Sequence, residues 1–194
     1  MKGAIVLVAP FVALACAHPA PPSVTPRPAA EYEEHLHSYP VNPLDAAGLA
    51  QSIADERKRF ASNAIGQTSM ALRWTYTATP AGGGQCTLTA VHVVVSTTVS
   101  IPQWNVPPGT SLARRQWWQR ILAAVSLHEH HHVVIEEEGG EAIAEALQEL
   151  KAVDCRVLEG LAEAAGRAEV TRTHERQREF DNAEGTITIP APPP

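Results

Sequence analysis

Hydrophobic residues recur along this chain with two different periods, and the switch between them separates a strand-forming region from a helical one. Leu49, Ile53 and Phe60 fall on one side of a stretch from Ala46 to Ser62, which predicts a helix. Leu72, Trp74 and Tyr76 then alternate with polar residues. After a turn at Gly82 to Gly84, Val91, Val93, Val95, Val99 and Ile101 alternate likewise, the period-two signature of a half-buried hairpin. Pro102, Pro107, Pro108 and Gly109 stop the sheet, and Thr110 or Ser111 can cap the next helix. From there Trp118, Ile121, Leu122, Val125, His128, His132 and Ile135 recur at spacings of three and four, so one helical stripe faces the interior. Gly139 and Gly140 each cost about 1 kcal/mol inside a helix and predict a kink or break. Helical character resumes from Ala142 to Leu150, and a last helix is expected from about Cys155 to Phe180. The chain therefore reads as α+β: a small antiparallel sheet packed on a long helix and a C-terminal helix. Thr89 to Ile101 is expected as an edge strand, open to pairing with an extended peptide.

The two ends carry different patterns. Met1 and Lys2 precede thirteen apolar residues, Gly3 to Ala15, too few for a spanning helix of about 20 but suited to a signal peptide at 1–15. Ala13, Leu14, Ala15 and Cys16 resemble the lipobox of bacterial lipoproteins, in which the cysteine is lipidated; ordinary cleavage at a small-x-small site also fits. Residues 16–31 read as a Pro-rich tether and 190–194, four-fifths proline, as a disordered tail, which leaves a domain at 32–189. The expected location is extracytoplasmic, lipid-anchored in the envelope at the outer membrane or periplasm, and otherwise secreted. Membrane contact is expected through the lipid alone.

Composition narrows the partners. Among 194 residues, 15 Lys plus Arg stand against 21 Asp plus Glu, a net charge of -6, so no basic stripe suits a phosphate backbone and nucleic acid is not an expected partner. At 44% hydrophobic the chain can bury one sizeable core. Its three cysteines leave Cys86 and Cys155 as an even pair once Cys16 is modified or removed, and an exported chain would join them in a disulfide.

The stripe on the long helix carries the chemistry. His128, Glu129 and His132 form an HExxH pattern, which stacks two imidazoles one turn apart and close enough to share one zinc ion. Glu129 can then serve as general base toward a metal-activated water. His130 and His131 read as solvent-facing or as groups supporting the ligands from behind, and Glu136, Glu137 and Glu138 as a solvated helix face. If the last two helices form an antiparallel hairpin about Asp154, His174 returns to the level of residue 130, as a ligand or as a donor to a reacting oxyanion. Asp181 can orient a histidine or cap a helix end. Trp74, Trp104, Trp117 and Trp118 read as packing.

From Tyr39 to Gly185 the chain resembles the bacterial domain-of-unknown-function family 922, described as secreted zinc-dependent proteases. The shared marks run in order: Tyr39, Pro40 and Val41; Trp74 and Tyr76; Cys86; Pro102 and Trp104; Trp118; His128, Glu129 and His132; Cys155; Phe180 and Asp181. The family typically ends in a Y-D-x-x-T-x-H-G-like segment, whereas this chain has Phe180, Asp181, Asn182, Ala183, Glu184 and Gly185, without the histidine. By that alignment Glu184 is the third metal ligand, with His174 its rival. The resemblance implies a zincin-like metallopeptidase acting on peptide or protein substrates with zinc as cofactor. A non-catalytic zinc-holding envelope lipoprotein or binding module is the alternative.

Overall fold

The computed structural model describes residues 30–42, 46–60, 65–185, 187 and 189–193. The expected signal peptide, Cys16 and the tether as far as residue 29 lie outside the described residues. In chain order the elements are β1 (Glu31–Pro40), α1 (Ala46–Phe60), β2 (Gln67–Ala81), β3 (Gln85–Gln103), α2 (Leu112–Glu149), β4 (Lys151–Ala152) and α3 (Cys155–Glu184). The class is α+β, with a small mixed sheet and three helices.

β2 and β3 form the expected hairpin, pairing Trp74 with Val93 and Leu72 with Val95. Gly83 and Gly84 make its turn with φ of 79° and 75°, which suits glycine. The sheet is not purely antiparallel. β1 runs parallel to β3 on its other side, Glu31 beside Val94 through Pro40 beside Gln103. β3 is therefore central, contrary to the edge position expected for Thr89 to Ile101, and the outer strands are β1 and β2. Hydrophobic patterning could not reveal β1, because Glu31 to Leu36 are all exposed and the strand is held by its backbone ladder.

α2 is one uninterrupted helix of 38 residues, about 57 Å at 1.5 Å per residue. Ser111 caps it, accepting from the Arg114 amide at 3.3 Å. The break expected at Gly139 and Gly140 does not occur. These glycines permit close approach: a Cβ at Gly139 would run into the Thr173 hydroxyl of α3, and one at Gly140 into the Val95 side chain of β3. The helix passes two apolar clusters. Tyr39, Trp104, Trp117, Trp118, Ile121 and Val125 pack around its first half, whereas Val93, Val95, Ile143, Leu147 and Ala162 join the second half to the sheet and α3.

β4 pairs with β3 at Cys86 and Thr87, next to a Cys86–Cys155 disulfide with Cα atoms 5.2 Å apart. The bond closes a sequence separation of 69 residues, worth about 4 kcal/mol in the chain-entropy description. Asp154 caps α3, accepting from the amides of Arg156 and Val157 at 2.8 and 3.1 Å. At the C-terminus, in the stretch read as a disordered tail, the Pro190 carbonyl accepts from Trp117 Nε1 at 3.1 Å and that of Pro193 from Arg114 Nη2 at 2.8 Å. Among the described residues no helix is long and apolar enough to cross a membrane.

Candidate metal centre

Between its two clusters α2 turns polar residues inward. Its buried stripe runs through Val125, Glu129, His132, Glu136 and Gly140, one residue per turn. Buried polar groups need partners, and each of these finds one on a neighbouring element. α3 returns antiparallel to α2, and its register is set by Gly139 against Thr173, Glu138 against Arg176 and His132 against Gln177.

That register brings Asp181, not Glu184, to the two imidazoles. Asp181 Oδ1 lies 3.0 Å from His132 Nε2 and 3.4 Å from His128 Nε2, and the two nitrogens are 3.2 Å apart. Glu184 is an exposed residue at the end of α3, three positions and about 4.5 Å further along the axis, and is not among the converging groups. His174 lines the same cavity but is not among the converging atoms. The expected hairpin was centred too early, since β4 and the Asp154 cap occupy the turn and delay the return of α3.

The protonation pattern follows from Gln177. Its Nε2 donates to the His132 carbonyl at 3.1 Å and to Glu136 Oε1 at 3.3 Å. A carbonyl can only accept, so the amide nitrogen must face it and Oε1 must face His132 Nδ1, with which it makes a short hydrogen bond. His132 Nδ1 therefore carries a proton, and in the neutral ring Nε2 is a bare acceptor aimed at His128 and Asp181. His128 Nδ1 is buried with no hydrogen-bond partner among the described residues.

Lone pairs at such separations repel unless a proton or a cation stands between them. A tetrahedral ion with ligands at about 2.0–2.1 Å sets them about 3.3–3.4 Å apart, close to the 3.0, 3.2 and 3.4 Å seen. Two imidazoles and one carboxylate are a donor set that suits zinc. The residues present fit such an ion. Phe180 packs against both rings, with centroids 4.9 Å from His128 and 5.0 Å from His132. The histidine side chains are 14% and 10% exposed and Asp181 is 56% exposed, so the cluster opens to solvent on the Asp181 side.

Glu129 stands in the same cavity of about 360 Å³. Thr68 Oγ1 donates to its Oε2 at 2.7 Å. Gly66 lies under its other oxygen, Oε1, where a Cβ would collide with it. The placement of Gly66 traces back to Tyr39, whose hydroxyl donates to the Ile65 carbonyl. Burial raises the Glu129 pKa above the ordinary 4.5, against the opposing effects of the Thr68 hydrogen bond and the two histidines.

Glu136 does not lie on a solvated face. It is 2% exposed, accepts from Thr97 Oγ1 at 2.5 Å, and is pushed by burial up to about 7. Glu137 is half-buried, while Glu138 is exposed and pairs with Arg176. Residue patterns alone missed Gln177, Thr68, Thr97 and Glu136. Only Glu136 left a signal, seven residues after Glu129 and four after His132 on the inward stripe.

Residues 36–187 match the model of a bacterial protein family of unknown function, DUF922. The chain belongs to this family. No curated protein and no solved structure matches it. The match spans every element from the end of β1 to the end of α3, and with them all the residues of the cluster.

Proposed function

We propose that this DUF922 chain is an exported zinc-dependent metallopeptidase of zincin-like build. One observation carries the reading: His128 Nε2, His132 Nε2 and Asp181 Oδ1 converge within 4.8 Å of one another in the cavity that holds Glu129. Three protein donors, rather than four, are the pattern of catalytic zinc sites, which keep a coordination position for water or substrate. Zinc, when bound, supplies Lewis acidity, polarising a carbonyl and bringing the ionisation of water toward neutral pH.

The chain's own residues would do the rest. Glu129 Oε2 is held by Thr68, so Oε1 is the oxygen free to take a proton from the attacking water and pass it to the leaving amine. Burial favours the protonated form of this carboxyl, which suits a group that must carry a proton between water and amine. Exposed His174, on the cavity wall, is placed to donate to oxygen charge developing on the substrate. A peptide is favoured as substrate because the cavity is lined by Gln67 to Met70 of β2, an outer strand whose second edge pairs with no described strand. Export is supported by the Cys86–Cys155 disulfide, which is unusual in a reducing cytoplasm. A lipid on Cys16 would anchor the domain to the envelope, and mass spectrometry of the mature N-terminus tests for it.

The experiment pairs metal analysis with proteolysis. The full chain should hold about one zinc, lost in H128A, and should cleave members of a mixed peptide library. E129Q should keep the zinc and lose the cleavage. A chain that takes up no zinc would sink the reading, as would E129Q cleaving at the wild-type rate. Tight zinc with no cleavage of any peptide would point to the non-catalytic zinc-holding module instead.

A further inference from the structure

We propose that Gln177 is the positioning residue of this centre: through a relay running Thr97, Glu136, Gln177, His132 it fixes which nitrogen of His132 faces the metal. The inference rests on the metal-site reading above and adds a role for three side chains that are not themselves proposed ligands.

The relay is directional at every link. Thr97 lies on the inward face of β3, 3% exposed, and its hydroxyl donates to Glu136 Oε2 at 2.5 Å. The other carboxylate oxygen of Glu136 accepts from Gln177 Nε2 at 3.3 Å, and the same amide nitrogen donates to the His132 carbonyl at 3.1 Å. Both hydrogens of the amide are thereby committed, and turning it over would set its oxygen against a carbonyl and a carboxylate oxygen. Gln177 Oε1 is left with one role, to accept from His132 Nδ1. Rotating the His132 ring to present Nδ1 to Asp181 and His128 would break this bond and leave the Gln177 oxygen unpartnered. His132 itself is buried, which adds to the cost of that swap. The three supporting side chains come from β3, α2 and α3, so the relay also ties the ring orientation to the packing of all three elements. His128 has no such support, its Nδ1 being without a partner among the described residues. The orientation of the pair is thus set from the His132 side.

The test is the zinc dissociation constant of the full chain, measured by competition with a chromophoric chelator at pH 7.5. Q177M fills nearly the same volume with neither polar atom, and should weaken zinc binding about 10- to 100-fold, the usual effect of removing a group that orients a metal-bound histidine. The exchanged pair E136Q/Q177E restores an acceptor for His132 Nδ1, with the amide at 136 donating to the new carboxylate, but sets that carboxylate's other oxygen opposite the His132 carbonyl, and should bind zinc at least about threefold more tightly than Q177M while staying short of wild type. A residue that merely filled space would leave the two variants alike in affinity. Zinc binding by the wild type with equal affinity in Q177M overturns the relay and leaves the metal site standing. Equal weakening in Q177M and the exchanged pair also overturns it. A wild-type chain that binds no zinc overturns relay and metal site together. A downfield imidazole N–H proton resonance in the zinc-loaded wild type, absent in Q177M and restored in the exchanged pair, is the spectroscopic sign of the Nδ1 bond.

Discussion

Replacing Glu136 with Gln should change how the stability of this protein depends on pH. Burial raises the Glu136 carboxyl from its ordinary 4.5 to about 7, an effect partly offset by the Thr97 hydroxyl and the charge of His132. The native chain therefore holds a proton at Glu136 over a range of pH in which the unfolded chain has released it. Stability from this group is fully present below pH 4.5 and is lost as pH rises through about 7. At about 1.4 kcal/mol for each tenfold difference in proton affinity, the loss is about 3 kcal/mol. A glutamine keeps both hydrogen bonds, its oxygen accepting from Gln177 Nε2 and its nitrogen donating to Thr97 Oγ1, but it does not titrate. Urea unfolding of both chains at pH 5 and pH 8, with chelator present to remove metal, should show E136Q gaining about 3 kcal/mol on wild type between the two pH values. Every other ionisable group is common to the two chains, so its contribution largely cancels in the difference. A stability difference constant to within about 0.5 kcal/mol across that range would refute the buried, protonated Glu136.

Three further outcomes are expected from the same geometry. D181N should weaken zinc binding at least about 100-fold, while E184Q stays near wild type; the reverse order in a chelator titration would put the third ligand at the end of α3. G140A should destabilise by about 1–3 kcal/mol despite the better helix propensity of alanine, because the added methyl meets Val95, and an unchanged or raised melting temperature would show that the helix and sheet can part there. Replacing Cys86 and Cys155 with Ser should cost about 4 kcal/mol in denaturant unfolding, and a loss below about 1 kcal/mol would mean that the unfolded chain is not constrained by that loop.

Much of this protein is written in local patterns. The hairpin of β2 and β3, the inward stripe of α2, the Ser111 cap, the pairing of the two cysteines and the facing of His128 with His132 all depend on neighbours within a few residues, or on simple counting. Periodicity and cap chemistry act at that range, so they can be read along the chain. Tertiary packing decided the rest. β1 is polar and exposed, and only its ladder to β3 makes it a strand. Gly139 and Gly140 would weaken an isolated helix but stay within α2, because their missing side chains let Thr173 and Val95 close in. Asp181, Gln177 and Thr97 reach the site across 49 to 53, 41 to 45 and 39 residues of chain respectively, through the register of α3 on α2 and the inward face of β3. A side chain's partners at such separations depend on where the connecting turn places a helix to within one residue, and a shift that small rotates the helix by about 100°. The two imidazoles are thus a property of the sequence, and the third donor and the relay that orients them are properties of the fold.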